Sequence, residues 1–180
     1  MRSPAASSGS PADTLRLRDG PRPDDAGAVR AIVAATGAFS GEELAIAVEL
    51  VHEALERGAA SGYHFLFASR EDALLGYTCF GPIPGTRSSF DLYWIAVDPS
   101  HQRAGIGRWL LAESEARVRA LGGTRLYADT SGRPDYARAR AFYAAQGFRL
   151  DALLEDFYAP GDAKAIFVKP LCASAGSGRP

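Results

Sequence analysis

The chain has 180 residues, length for about one domain, and its 47% hydrophobic and 23% charged residues are ordinary values for a globular protein. Those values exclude a wholly disordered or collagen-like chain, and no run approaches the ~18 apolar residues of a transmembrane helix. The net charge of -1, with 18 Arg against 2 Lys, argues against a broad electrostatic footprint for nucleic acid or an anionic membrane.

Residues 1–13 form a Ser/Ala/Pro/Gly tract without the apolar core of a signal peptide, and a disordered tail is expected there. Residues 172–180 read the same way, which leaves 14–171 as the folded domain. Cys79 and Cys172 are too few for a disulfide framework. Two free thiols and a cytoplasmic location are the expectation.

Thr14–Arg18 alternates and predicts a short strand. A helix follows from about Asp24 to Ala35, ended by Gly37, and Ser40-Gly41-Glu42-Glu43 is a capping box that opens a second helix reaching Gly58. Tyr63–Ser69 and Ala73–Phe80 are apolar runs split by Arg70-Glu71-Asp72, a hairpin signal. Phe90–Val97 is a further strand, followed by a helix from about Ile106 to Leu121 and a strand over Thr124–Asp129. That unit predicts a right-handed parallel crossover. Pro134 opens a helix over about Asp135–Gln146, closed by Gly147. Phe148–Leu153 and Ala163–Val168 complete the sheet, joined by Glu155–Asp162, an acidic and aromatic loop suited to facing a cationic acceptor. The order β-αα-βββ-α-β-α-ββ is a mixed α/β (α+β) layer pattern, with about seven strands and about four helices.

The chemistry concentrates at the strand–loop–helix junction Ile95-Ala96-Val97-Asp98-Pro99-Ser100-His101-Gln102-Arg103-Ala104-Gly105-Ile106-Gly107-Arg108. Glycines there let backbone N–H groups approach an anion closely, and the helix N-terminus favours a phosphate or pyrophosphate. Arg103 and Arg108 add charge-assisted contacts. The dinucleotide fingerprint lacks its third glycine and no Gly-Lys pair is present for a P-loop. His52, His64 and His101 have no metal-ligand spacing, so no metal is expected. No Gly-x-Ser-x-Gly elbow occurs.

Gln102-Arg103-Ala104-Gly105-Ile106-Gly107 resembles the Q/R-x-x-G-x-G/A coenzyme A loop of the GCN5-related N-acetyltransferase (GNAT) superfamily. Ala139-Arg140-Ala141-Phe142-Tyr143-Ala144-Ala145-Gln146-Gly147-Phe148 is similar to its A-x-x-F-Y-x-x-x-G-F motif, in order and on the expected elements. The resemblance implies a GNAT-like fold and an acetyl-CoA-dependent transfer of an acetyl group to an amine, by direct attack in a ternary complex. It implies acetyl-CoA contacts from Ile95, Ala96 and Val97, from Gln102 through Arg108, and from Thr130 and Ser131. Tyr143 matches the general acid. Asp91, in the place of a Glu or His of some members, is the candidate general base. Period-2 counting puts Asp91, Tyr93, Ile95 and Val97 on one face. Tyr136 stands where many members have Asn, which puts its role as a binding residue in doubt. Phe39, Glu42 and Glu43 fall where acceptor sites form in the family. The expected partner is a small-molecule or peptide amine, with no nucleic acid and no membrane, and the chain is a monomer or homodimer. A non-catalytic acyl-CoA-binding or sensing module on the same fold is the alternative.

Overall fold

The computed structural model describes residues 15–171. The predicted tails at 1–13 and 172–180, with Thr14 and Cys172, lie outside the described residues. Seven strands and four helices follow in the expected order: β1 (Arg16–Asp19), α1 (Asp25–Ala35), α2 (Gly41–Arg57), β2 (His64–Arg70), β3 (Ala73–Pro82), β4 (Ser89–Val97), α3 (Ile106–Ala120), β5 (Arg125–Ser131), α4 (Ala137–Ala145), β6 (Arg149–Ala159) and β7 (Asp162–Pro170). They form one mixed sheet in the order β1-β2-β3-β4-β5-β7-β6. Its one parallel pair among these strands is β4–β5, for which α3 supplies the crossover that parallel strands require.

Helices cover both faces. The Ser40 hydroxyl and the Glu43 carboxylate cap α2 reciprocally, as the sequence predicts. From there Ala47, Val51 and Ala54 recur at helical spacing and pack with Val29, Ile32 and Val33 of α1 on Phe65, Phe67, Tyr77 and Cys79. On the opposite face Ile106, Leu110, Leu111 and Val118 of α3 join Leu66, Phe80, Leu92 and Leu126. Ser114 of α3 donates to the Leu110 carbonyl at 2.8 Å, so its single proton is used and Thr78 of β3 must donate to it at 2.9 Å. Glu115 adds ion pairs to Arg119 and, across to β7, to Lys169.

Two features of β4 position the site. β4 pairs with β5 only through Ser89–Asp91, opposite Arg125–Tyr127. Beyond Asp91 the strands part: β4 stays with β3 to Val97, while β5 continues with β7 to Ser131. The second feature is a bulge. Cys79 faces Trp94 and Phe80 faces Leu92, so Tyr93 is the extra residue. Phe90 and Leu92 therefore share the α3 face with Ile95 and Val97, while Trp94 and Ala96 face α1 and α2. This corrects the period-2 reading of β4: Asp91 lies on the face opposite Ile95 and Val97.

The C-terminal hairpin also departs from expectation. Glu155–Asp162 is not a loop: β6 runs on to Ala159, and only Pro160-Gly161 turns the chain into β7. A bulge between Leu154 and Ala159 absorbs these residues, with Asp156 at φ 53° and its carboxylate accepting from Gly161 N–H at 2.6 Å. β6 is an edge strand, almost wholly exposed on both faces, so its polar and acidic residues carry no burial pattern to mark a strand.

Candidate active site

The loop after β4 is built from local hydrogen bonds. Asp98 N–H donates to the Leu75 carbonyl at 2.8 Å, and the Asp98 carboxylate accepts from Ser100 N–H at 2.8 Å to start a short 3-10 turn over Pro99–His101. Those bonds hold the Asp98 carboxyl below the usual range. Gln102 turns inward and donates from Nε2 to the Val97 carbonyl at 3.1 Å, so its side chain clamps the loop to the strand end. Arg103 at φ 68° and Gly105 at φ 82° then swing the chain into α3. Among the described residues, none of the backbone N–H groups from Arg103 to Arg108 donates to a protein acceptor. They cluster at the positive end of α3, where an anion is favoured by both free donors and dipole. A Cβ built on Gly107 would lie 3.6 Å from Val97 Cγ2 and 3.7 Å from Phe142 Cε2, so β4, α3 and α4 converge there.

The fork between β4 and β5 opens beside this loop, and from Leu92 onward β4 has no β5 partner. Ile95 and Val97 line its α3 side and Ala96 the other. Across the fork, at the end of β5, Thr130 is buried. Ser131 is committed to the protein: its hydroxyl donates to Asp162 and accepts from Arg133 N–H at 3.0 Å, and its carbonyl accepts from Arg140 at 2.7 Å.

Tyr143 projects from α4 into the α3-face core, its ring between Phe142, Phe148 and Phe167 at centroid distances of 5.7, 5.5 and 5.6 Å. Burial, followed by the nearby Asp129 charge, pushes the phenol well above its ordinary value. Tyr143 thus holds its proton throughout the neutral range.

Asp91 occupies the crotch of the fork. Burial raises its carboxyl to about 6, the Asp129 charge pushes the same way, and Lys164 opposes both. Asp129 itself is ion-paired to Lys164 of β7 at 2.5 Å. Tyr93, exposed at the bulge, packs edge-on against Tyr63 at 5.4 Å. On the α1–α2 side Phe39 packs on Trp94 at 4.8 Å. Tyr136 donates its hydroxyl to the Ala38 carbonyl at 2.9 Å and lies 3.3 Å from a Glu43 oxygen. It therefore pins α4 to the α1–α2 connection, a structural use for the residue at the family's Asn position. Glu43 serves both the α2 cap and this contact.

Sequence reasoning missed Asp129, Lys164 and Trp94. Lys164 carried a signal, being one of only two lysines. Asp129 carried none until β7 was placed beside β5.

Residues 34–148 match the model of the acetyltransferase (GNAT) family. A GNAT-family protein of known structure from Desulfovibrio desulfuricans is 47% identical, covers 88% of this chain and 100% of its own, and superposes with a TM-score of 0.86. An N-acetyltransferase from Thermoplasma acidophilum, solved in complex with coenzyme A, shares the fold at 18% identity, with a TM-score of 0.68 over 87% of this chain and 99% of its own. An amino-acid acetyltransferase of Pseudomonas putida is 30% identical over 130 residues, which is 72% of this chain but 29% of that protein. The chain belongs to the GNAT acetyltransferase family.

Proposed function

We propose that this enzyme transfers the acetyl group of acetyl-CoA directly to a primary amine, carried by a small molecule or a peptide. The observation that carries the reading is the pairing of an unpaired β4 edge with a cluster of free amides at the α3 N-terminus. The amides from Arg103 to Arg108 suit a pyrophosphate, with Arg103 and Arg108 exposed beside them. The open β4 edge at Ile95, Ala96 and Val97 suits an extended amide-bearing arm, and Thr130 borders it from β5. Gln102 contributes by fixing the loop, and Ser131 by fixing the β5 end.

When bound, acetyl-CoA supplies an acetyl thioester. The amine must arrive neutral: for a pKa of ~10.4, deprotonation at pH 7 costs about 4.6 kcal/mol. Asp91 is the proton acceptor in this reading, directly or through a water, and its raised proton affinity makes it a better base than an ordinary carboxylate. The amine nitrogen bonds to the acetyl carbon as the carbon–sulfur bond breaks. Tyr143 would give its proton to the departing sulfur and recover one from the nitrogen, which sheds its second proton in becoming an amide. The raised pKa of Tyr143 keeps its proton in place beforehand. No protein thiol is needed. Cys79 is fully buried, and burial pushes its thiol up, the reverse of what a nucleophile requires. The amino-acid acetyltransferase relative adds weight to amino acids as one acceptor class.

An amine panel assayed by thiol release tests the activity. On the amine it selects, Tyr143→Phe should lower kcat by ~10²-fold with little change in coenzyme A affinity. Cys79→Ala should leave transfer intact. Ping-pong kinetics or an acetyl-cysteine adduct would overturn direct transfer, and an unchanged kcat in the Tyr143 variant would remove it as the acid.

A further inference from the structure

Beyond the two proton-handling residues, the fork holds a charge pair that the reaction scheme does not use. Asp129 lies on β5 two residues past Tyr127, the partner of Asp91. Leu126 and Ala128 point into the α3-face core, so Asp129 points to the opposite face. Phe90 and Leu92 put Asp91 on that same face. The two carboxylates are thus diagonal neighbours across the mouth of the fork. Asp129 cannot withdraw, because Lys164 grips it at 2.5 Å from β7. Lys164 is itself fixed, its ammonium 4.9 Å over the Phe157 ring of β6.

We propose that Asp129, anchored by Lys164, is a positioning residue for acetyl transfer: its carboxylate is held on the same face as Asp91, diagonally across the fork, and keeps Asp91 receptive to the amine proton. The inference rests on Asp91 being the base. Its physical content is that Lys164 fixes a carboxylate beside Asp91, on the same face of the sheet. A second carboxylate near Asp91 disfavours its ionised form, which strengthens it as a base. Lys164 opposes the effect, and with its carboxyl at about 6 Asp91 is largely ionised at neutral pH.

The other groups around the fork do not duplicate this. Tyr93 on the same strand stays neutral, its phenol pushed up to about 12. Tyr158 of β6 is also pushed up and neutral. Asp162 is taken by Ser131 and by Arg133, which lies 3.6 Å away. Glu43 is held in the α2 cap.

Carboxyl 13C NMR titration of the full chain, beside pH profiles of kcat/KM for the panel amine turned over fastest, tests the inference. The Asp91 carboxyl should titrate near 6 in the unaltered protein. In Asp129→Asn its midpoint should fall by about half a unit or more, and in Lys164→Met it should rise. Asp129→Glu should restore it. The acidic limb of kcat/KM should follow each shift. Should Asp129→Asn fail to fold, Lys164→Met still gives a signed result. Asp91 midpoints unmoved by these substitutions would overturn the inference while leaving the reaction intact. An acidic limb unmoved in Asp91→Asn would instead overturn Asp91 as the base, and with it the positioning role of Asp129.

Discussion

Single residues at the fork carry the sharpest consequences. Gly105 caps α3 at φ 82°, a conformation that costs a side-chain-bearing residue about 1–2 kcal/mol. In Gly105→Val the loop must either strain or turn its amides away, so coenzyme A affinity should fall about tenfold or more, read by calorimetry on a variant whose melting temperature shows it still folded. Asp91 makes a separate statement about stability. Its folded pKa of about 6 lies above the unfolded value of 3.8, so between them the native state binds more protons than the unfolded chain. Stability falls as pH rises through that window, and the penalty is complete above about 6. Asp91→Asn should therefore raise the melting temperature at pH 8 and not at pH 4. Equal changes at both values would place the effect in packing instead. Gly105 and Tyr143 are legible in the sequence because each sits in a contiguous motif. The Asp129–Lys164 pair is not, because its members meet only once β7 is inserted between β5 and β6.

At the scale of elements, the sequence carries types and order well and phases poorly. Ser40 and Glu43 announce α2 because a cap is a local hydrogen-bond pattern. Ser40→Ala should cost about 1 kcal/mol in urea unfolding. The α3–β5 junction is tighter than the sequence suggests. A Cβ on Gly123 would lie 2.3 Å from Val118 Cγ1 and 2.7 Å from a Phe90 ring carbon, both in the core. Gly123→Ala should therefore destabilise by about 1–3 kcal/mol, whereas Gly122, with open space around it but φ 83°, should show only the smaller backbone penalty. Comparable losses at both positions would argue against the core clash. The sequence predicts too short a β6 because solvent bathes both of its faces, and a strand without a buried face has no alternation to read.

For the whole molecule, the sheet is a partition between two separate cores, and the strands differ in how much of each they share. β2 and β3 are buried on both sides, while β6 contributes little to either. Hydrogen exchange should show the slowest amides in β2 and β3 and markedly faster ones along β6. Uniform protection across the sheet would contradict that division. The chain spans 29% of the length of the curated amino-acid acetyltransferase it matches. Within the sheet, β4 serves one core before the bulge and keeps serving it afterwards with residues of the other parity. Tyr93 thus acts as a frameshift written in three dimensions. Any one-to-one matching of β4 with an unbulged strand gives the right residues on one side of Tyr93 and the wrong face on the other. Excising Tyr93 would leave Leu92 and Trp94 opposite Phe80 and Cys79 and keep Ile95 and Val97 in their core, so what the strand would lose is the local bend and added twist of the bulge just beyond the point where β4 parts from β5.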